Sequence, residues 1–253
     1  MPAVRACKRG DFGYRGGRVP SPFSARMTTP GESQAIRVWD LPTRLFHGLL
    51  VAAVIGLLVS GKIGGPALVW HLRFGLLVFS LLSFRLLWGV VGGRWSRFAS
   101  FLYAPGTVLR YLRGEHRPGD HFEVGHNPLG AWSVFALIAV LAAQVATGLV
   151  ADDEIATTGP LNRYVSNALG LKAAAWHPAY GQWLLLALVA LPVAATVVYR
   201  WRGQNLVRPM LSGDKPLPPD VAPSTDSAAT RGVALVLVLA VGAVAVWIAR
   251  QAA

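Results

Sequence analysis

Long apolar runs separated by short polar segments organise this chain. Windows almost free of charge cover residues 45–63, 68–91, 131–150, 179–199 and 232–249. Each is close to the about 20 residues that an α-helix needs to cross a hydrocarbon core. The pattern therefore predicts an all-α membrane protein with five spans.

The segments between the spans differ in character. Residues 1–34 are rich in Arg, Gly, Pro and Ser and lack an apolar core, so they read as a disordered basic N-terminal arm. No apolar h-region follows the first basic residues before residue 45, so the arm is not a secretory signal peptide; Met27 is an alternative start. Residues 35–203 hold four spans. Residues 204–231, with "PLPPD" at 216–220, read as a Pro-rich linker to a fifth helix at 232–250. That last span carries no polar group able to do chemistry and is expected to anchor or pack. No internal repeat is visible.

Charge gives the chain a direction. The 253 residues are 53% hydrophobic and 14% charged, with a net charge of +12. A basic balance of this size suits nucleic acid binding, but the basic residues lie between spans, not in a soluble domain, so no nucleic acid partner is expected. Lys and Arg number eight in residues 1–44, five in 92–130 and five in 200–231, against one in 62–67 and two in 151–176. The positive-inside rule then places the first three segments in the cytoplasm. A multi-pass protein of the bacterial cytoplasmic (inner) membrane follows, with its N-terminus cytoplasmic and the loop bearing Asp152, Asp153 and Glu154 on the other side. The single cysteine, Cys7, allows neither an internal disulfide nor paired thioether attachment of haem.

An ionisable group in a span is costly, by at least about 2.5–3.5 kcal/mol for a charge at the helix centre. The histidines are therefore informative. His47 opens the first span, His71 the second and His177 the fourth, with His126 just before the third. His116 and His121 fall in a loop and read as solvated. The second and fourth helices run inward, so His71 and His177 share the outer level and can face each other. Two facing imidazoles suit a b-type haem with two axial ligands held inside a bundle. A proton relay and structural hydrogen bonding remain open from the residues alone. Zinc fits less well, because it wants three or four protein ligands.

Five segments in order carry a resemblance: "RVWDLPTRLFHGLL" (37–50), "FRLLWGVVGGRWSRFASF" (84–101), "GHNPLGAW" (125–132), "QVATGLVADD" (144–153) and "NLVRPMLSGDK" (205–215). Together they resemble the bacterial cytochrome b-561 family, which includes the b-type cytochromes that anchor nickel-iron hydrogenases. The resemblance implies a four-helix haem-binding transmembrane bundle, here with an extra C-terminal helix. It implies electron transfer between a quinone pool and a redox partner, such as a c-type cytochrome, a hydrogenase or another periplasmic or membrane protein. Membrane lipid is a further partner, and a homodimer is compatible.

The same resemblance implies two b haems and four histidine ligands. His47, His71 and His177 match three of them. Pro192 stands where the fourth is expected, about 22 Å along the helix from His177 and at the level of His47. Three outcomes stay open for the inner position: a five-coordinate haem on His47, His126 as a replacement ligand, or no inner haem. Arg85, fourteen positions after His71, shares its helix face and is either a partner for a haem propionate or a snorkelling arginine. Arg73, near the outer level, is a comparable candidate.

Pro192 is expected to kink the fourth span at the carbonyl of Leu188. Pro178 is expected to sit harmlessly in that span's first turn. Trp39, Trp70, Trp88, Trp95, Trp176 and Trp201 read as interfacial belts. No nucleophile–base pair, phosphate loop or metalloprotease helix is present. The expected role is an electron-transfer subunit, not a stand-alone enzyme. The alternatives are a haem-poor membrane anchor or assembly subunit of a redox complex, and a secondary transporter, which the missing repeat disfavours.

Overall fold

The computed structural model describes residues 33–117, 120, 122–155 and 157–252. The basic arm up to residue 32, with Cys7 and Met27, and the loop residue His121 lie outside them. After the short strand β1 (Gln34–Arg37), helix α1 (Leu41–Ile63) starts on Asp40, whose carboxylate accepts the N–H of Thr43 at 2.8 Å. Pro42 occupies the first turn, where a missing N–H leaves no bond unmade. A short turn through Gly64, at φ 67°, returns the chain as α2 (Leu68–Val91). Such a tight link makes α1 and α2 antiparallel neighbours. Their backbones approach where Gly56 faces the ring of Phe74: a Cβ there would lie 2.7 Å from Phe74 Cε2.

A short helix, α3 (Pro105–Leu112), precedes α4 (Pro128–Val150), whose N-terminus is capped by Asn127 accepting from the N–H of Gly130 at 2.7 Å. Helix α5 (Asn167–Trp176) runs through a widened π-turn at His177–Gly181 directly into α6 (Gln182–Trp201). A short helix α7 (Val207–Ser212), the strand β2 (Asp214–Leu217) and the last long helix, α8 (Ala228–Ala249), complete the order. Five helical segments are long and apolar enough to cross a membrane: Leu41–Ile63, Gly65–Val91, Pro128–Val150, Asn167–Trp201 and Ala228–Ala249. The fold is an all-α membrane protein.

Helix α2 is central, packing on α1, α4 and α8. Its Val78, Leu81, Leu82, Phe84 and Trp88 form the bundle core with Phe46 and Ala53 of α1, Leu141 of α4, Leu185 of α6, and Ala234 and Val241 of α8. The fifth long helix therefore packs on the bundle, as the sequence suggests. Lipid tails are as apolar as these side chains, so close packing rather than water exclusion holds the spans together.

Three expectations need correction. Residues 204–231 are a folded cap, not a linker. β2 pairs antiparallel with β1, Gln34 opposite Leu217 and Arg37 opposite Asp214. Ile36, Val38, Trp39, Trp95, Val124, Leu217 and Val221 make a second core beneath them. The cap is clasped by Asp226, whose carboxylate accepts from Arg37 at 2.7 Å and from Arg231 at 2.8 Å and so ties α8 to the start of α1. Proline and aspartate in this stretch mark turns and ion pairs; they do not mark disorder.

The fourth span, second, begins at Asn167 instead of 179, because the polar Asn167 and Lys172 depress the hydropathy of α5 without breaking its helix. Pro178 is consequently internal. It offers no N–H to the carbonyl of Ala174, and the turn widens so that Gln182 N–H returns to His177 O. Pro192 leaves α6 a continuous helix. Third, Trp39, Trp88 and Trp95 are buried, not interfacial; Trp70 and Trp201 are exposed. Trp88 Nε1 donates to Asp40 at 3.2 Å and Trp95 Nε1 to the carbonyl of Ala222 at 2.9 Å.

Candidate functional site

At the end of the bundle remote from the cap, the rings of His71 (α2) and His177 (π-turn) stand with centroids 6.1 Å apart and planes at 76°. Both are half-buried. His71 Nδ1 lies 3.0 Å from the carbonyl oxygen of Leu57 on α1. That oxygen can only accept, so Nδ1 carries the proton and Nε2 presents its lone pair. His177 Nδ1 lies 3.1 Å from Thr147 Oγ1 on α4. The single hydroxyl proton of Thr147 goes to the carbonyl of Ala143 at 2.8 Å, so Thr147 accepts from His177 and fixes the same tautomer. Both Nε2 atoms are thereby left as free donors of electron pairs.

The local sequence makes this approach possible. Gly61 lies one turn beyond Leu57; a Cβ there would sit 3.1 Å from His71 Nδ1. Gly148 does the same on α4, where a Cβ would sit 3.2 Å from His177 Cε1. Gln144, one turn before Gly148, donates to the carbonyl of His177 at 3.2 Å and steadies the widened turn. π-turns of this kind are frequent at functional sites.

This pair fits an axially ligated metal. Two metal–imidazole bonds of about 2 Å each, extended at either end by a ring radius of about 1 Å, span about 6 Å. Among the described residues no three His, Cys, Asp or Glu side chains gather as a metal site. A two-imidazole centre thus needs its remaining donors from a macrocycle.

The cap end holds a different cluster. Asp40 is buried and accepts from Ser96 Oγ at 2.6 Å, from Gly93 N at 3.2 Å and from Trp88, besides capping α1. The Ser96 carbonyl accepts from Arg85 Nη1 at 3.1 Å, and the Arg85 guanidinium lies 4.5 Å over the ring of Phe98. Arg85 is buried and does not snorkel. Its interior position follows from the helical register with His71.

His126 sits between Trp39 and Phe101, with ring centroids at 4.9 and 4.6 Å. Its Nδ1 is buried without a hydrogen-bond partner among the described residues. Burial first, then the charges of Arg85 and His47, push its pKa down to about 3, so the ring is neutral at physiological pH. His47 is exposed near the start of α1 and makes no hydrogen bond among the described residues.

The structure thus brings His71 to His177, and Arg85 and His126 to one neighbourhood near His47. It does not bring Arg73 to either. Two residues from His71, Arg73 points to the opposite side of α2; it is exposed and lies 4.8 Å over the Trp70 ring. His116 packs against Phe122 at 5.7 Å in the loop before α4. Sequence reasoning missed Thr147, Gly148, Gln144, Gly61, Asp40 and Ser96 as supporting residues. The first three were legible in principle, as polar or small residues spaced by three and four positions within an otherwise apolar span.

Comparison with protein families matches residues 38–213 to the model for prokaryotic cytochrome b561. Curated proteins and solved structures give no match.

Proposed function

Because the chain belongs to the prokaryotic cytochrome b561 family, we propose that the b-type haem this family implies is held by His71 and His177. The chain is a membrane b-type cytochrome of electron transfer. A bound haem supplies reversible one-electron exchange at its iron. This chain's residues supply the rest. Leu57 and Thr147 hold both imidazoles in the tautomer that leaves Nε2 unprotonated, and Gly61 and Gly148 leave room for the rings. Half-buried, hydrogen-bonded imidazoles of this kind would tune the potential of an iron they held.

The partners we assign are a quinone pool and a periplasmic or membrane redox protein, such as a c-type cytochrome or a hydrogenase. The Lys and Arg excess in residues 1–44, 92–130 and 200–231 supports a cytoplasmic cap and an inner-membrane location, with the His71–His177 end facing the periplasm.

The observation that carries the reading is the 6.1 Å separation of two rings whose Nδ1 atoms are both engaged. The purified full-length protein should show a reducible Soret band and the α band of a b-type haem. His71→Ala and His177→Ala should each abolish that low-spin spectrum while keeping helix content by circular dichroism. A full low-spin spectrum in either variant contradicts the assignment.

A further inference from the structure

We propose that α3 lies in the membrane surface at the cap end of the bundle and, together with Trp132, seats one anionic phospholipid of that leaflet. Helix α3 (Pro105–Leu112) has eight residues, about 12 Å of length, too little to cross a hydrocarbon core. It lies between the end of α2 and the start of α4, and both of these ends meet the cap. Trp88 and Gly93 bond to Asp40, and His126, just before α4, packs on Trp39. The helix is thus held at the level where the spans leave the membrane.

Its sequence has two faces. Pro105, Val108, Leu109 and Leu112 recur at spacings of three and four and form one apolar stripe. Tyr111 marks the side packed on the protein: its ring meets Phe122 at 5.4 Å, and its hydroxyl meets that of Tyr199 on α6. The stripe is left facing outward, with Leu109 half-exposed and Leu112 60% exposed. At its other border stands Arg113, about 40° round the helix from Leu109, and Arg110 follows it. Among the described residues neither arginine makes an ion pair, and Arg110 Nε is buried with no hydrogen-bond partner. The acids of this segment, Glu115, Asp120 and Glu123, all come after the helix.

The stripe and Trp132 line a groove of about 270 Å3. Trp132 and Leu129, about one turn apart on the spanning helix α4, are both half-exposed, so the groove runs onto a surface that lipid covers. The indole nitrogen of Trp132 is the one polar atom among the five lining side chains, and a tryptophan at this depth suits the headgroup layer. An apolar groove open to the bilayer takes an acyl chain. Two arginines at its border without acidic partners take the phosphate, and cations beside a span favour anionic lipid.

The test uses the full-length protein, delipidated in detergent and titrated with phosphatidylglycerol or with phosphatidylethanolamine of the same acyl chains, the bound lipid being counted by native mass spectrometry. Phosphatidylglycerol should bind more tightly. Arg113→Gln should lower that preference about fivefold, the effect of one cation near a lipid surface, whereas Arg113→Lys should keep it. Leu109→Gln combined with Leu112→Gln should weaken both lipids. Glycerol phosphate, which carries the phosphate without the chains, should not compete at equal concentration. Helix content by circular dichroism should be the same in every variant, because these side chains are exposed. Equal affinity for the two lipids, a preference unchanged by Arg113→Gln, or displacement of phosphatidylglycerol by glycerol phosphate overturns the inference. So does a wild-type dimer that the two leucine substitutions disperse, which would make this face the seat of a second copy.

Discussion

Thr147 Oγ1 accepts the Nδ1 proton of His177 at 3.1 Å because its own proton is already given to the carbonyl of Ala143. This relay makes Thr147 the orienting partner of an axial ligand. Removing such a partner commonly lowers metal-centre affinity about 10–100-fold. Thr147→Val should therefore weaken haem retention by that order in a haem titration and shift the midpoint potential. Thr147→Ser, which keeps the hydroxyl, should restore both.

Gly148 offers a steric test. A Cβ at this position meets His177 Cε1 at 3.2 Å, whereas one at Gly75 meets nothing within 4 Å. Gly148→Val should displace the His177 ring and deplete the low-spin haem. Gly75→Ala should leave the spectrum unchanged, with helix stability equal or higher by up to about 1 kcal/mol. Equal haem content in the two variants would remove Gly148 from the site.

The cap-end cluster is structural in this account. Asp40 receives four hydrogen bonds in a buried setting, and Arg85 answers its charge through Ser96. Asp40→Ala leaves the donors unpaired and the buried arginine uncompensated, a loss of about 3–5 kcal/mol, measurable by denaturant unfolding in detergent. Asp40→Asn keeps acceptor capacity and should cost less. The haem spectrum of the folded fraction should be unchanged in both.

His126 gives the fold an acid sensitivity. Its pKa falls from 6.5 to about 3 on folding, through burial first and then Arg85 and His47. The unfolded chain therefore binds a proton between these values that the folded chain refuses. Stability is full above about pH 6.5 and declines as pH falls toward 3, by up to about 1.4 kcal/mol per unit. Asp226, whose carboxylate is held below its ordinary pKa by Arg231, the Leu41 N–H and Arg37, loses its own contribution in acid as well. His126→Phe keeps the ring contacts with Trp39 and Phe101 and removes the titration. Its melting temperature should fall less than wild type between pH 7.5 and pH 5; equal slopes would refute the role.

The bundle was legible because its signal is one of length: five apolar windows map onto five long helices. The His71–His177 pairing was legible for a similar reason, since helix direction alone sets both at one level. What hydropathy averages away is what it could not show. Lys172 and Asn167 hid the first ten residues of the fourth helical segment, and with them the internal position of Pro178. Trp88 and Trp95 sit at span ends as belt residues do, yet one hydrogen-bonds Asp40 and the other a cap carbonyl, contacts that depend on tertiary folding. The cap itself joins residues 34–37 to 214–217, a separation at which local pattern carries no pairing information. Thr147 acts through which neighbour takes its single proton, a matter of atomic geometry.

The most direct measurement is the electron paramagnetic resonance spectrum of the oxidised, purified full-length protein. If His71 and His177 hold a haem iron with their ring planes near the 76° seen here, that iron would give one highly anisotropic low-spin ferric signal, absent from His71→Ala and from His177→Ala. A spectrum with only high-spin iron, or a low-spin signal that survives either substitution, would contradict it.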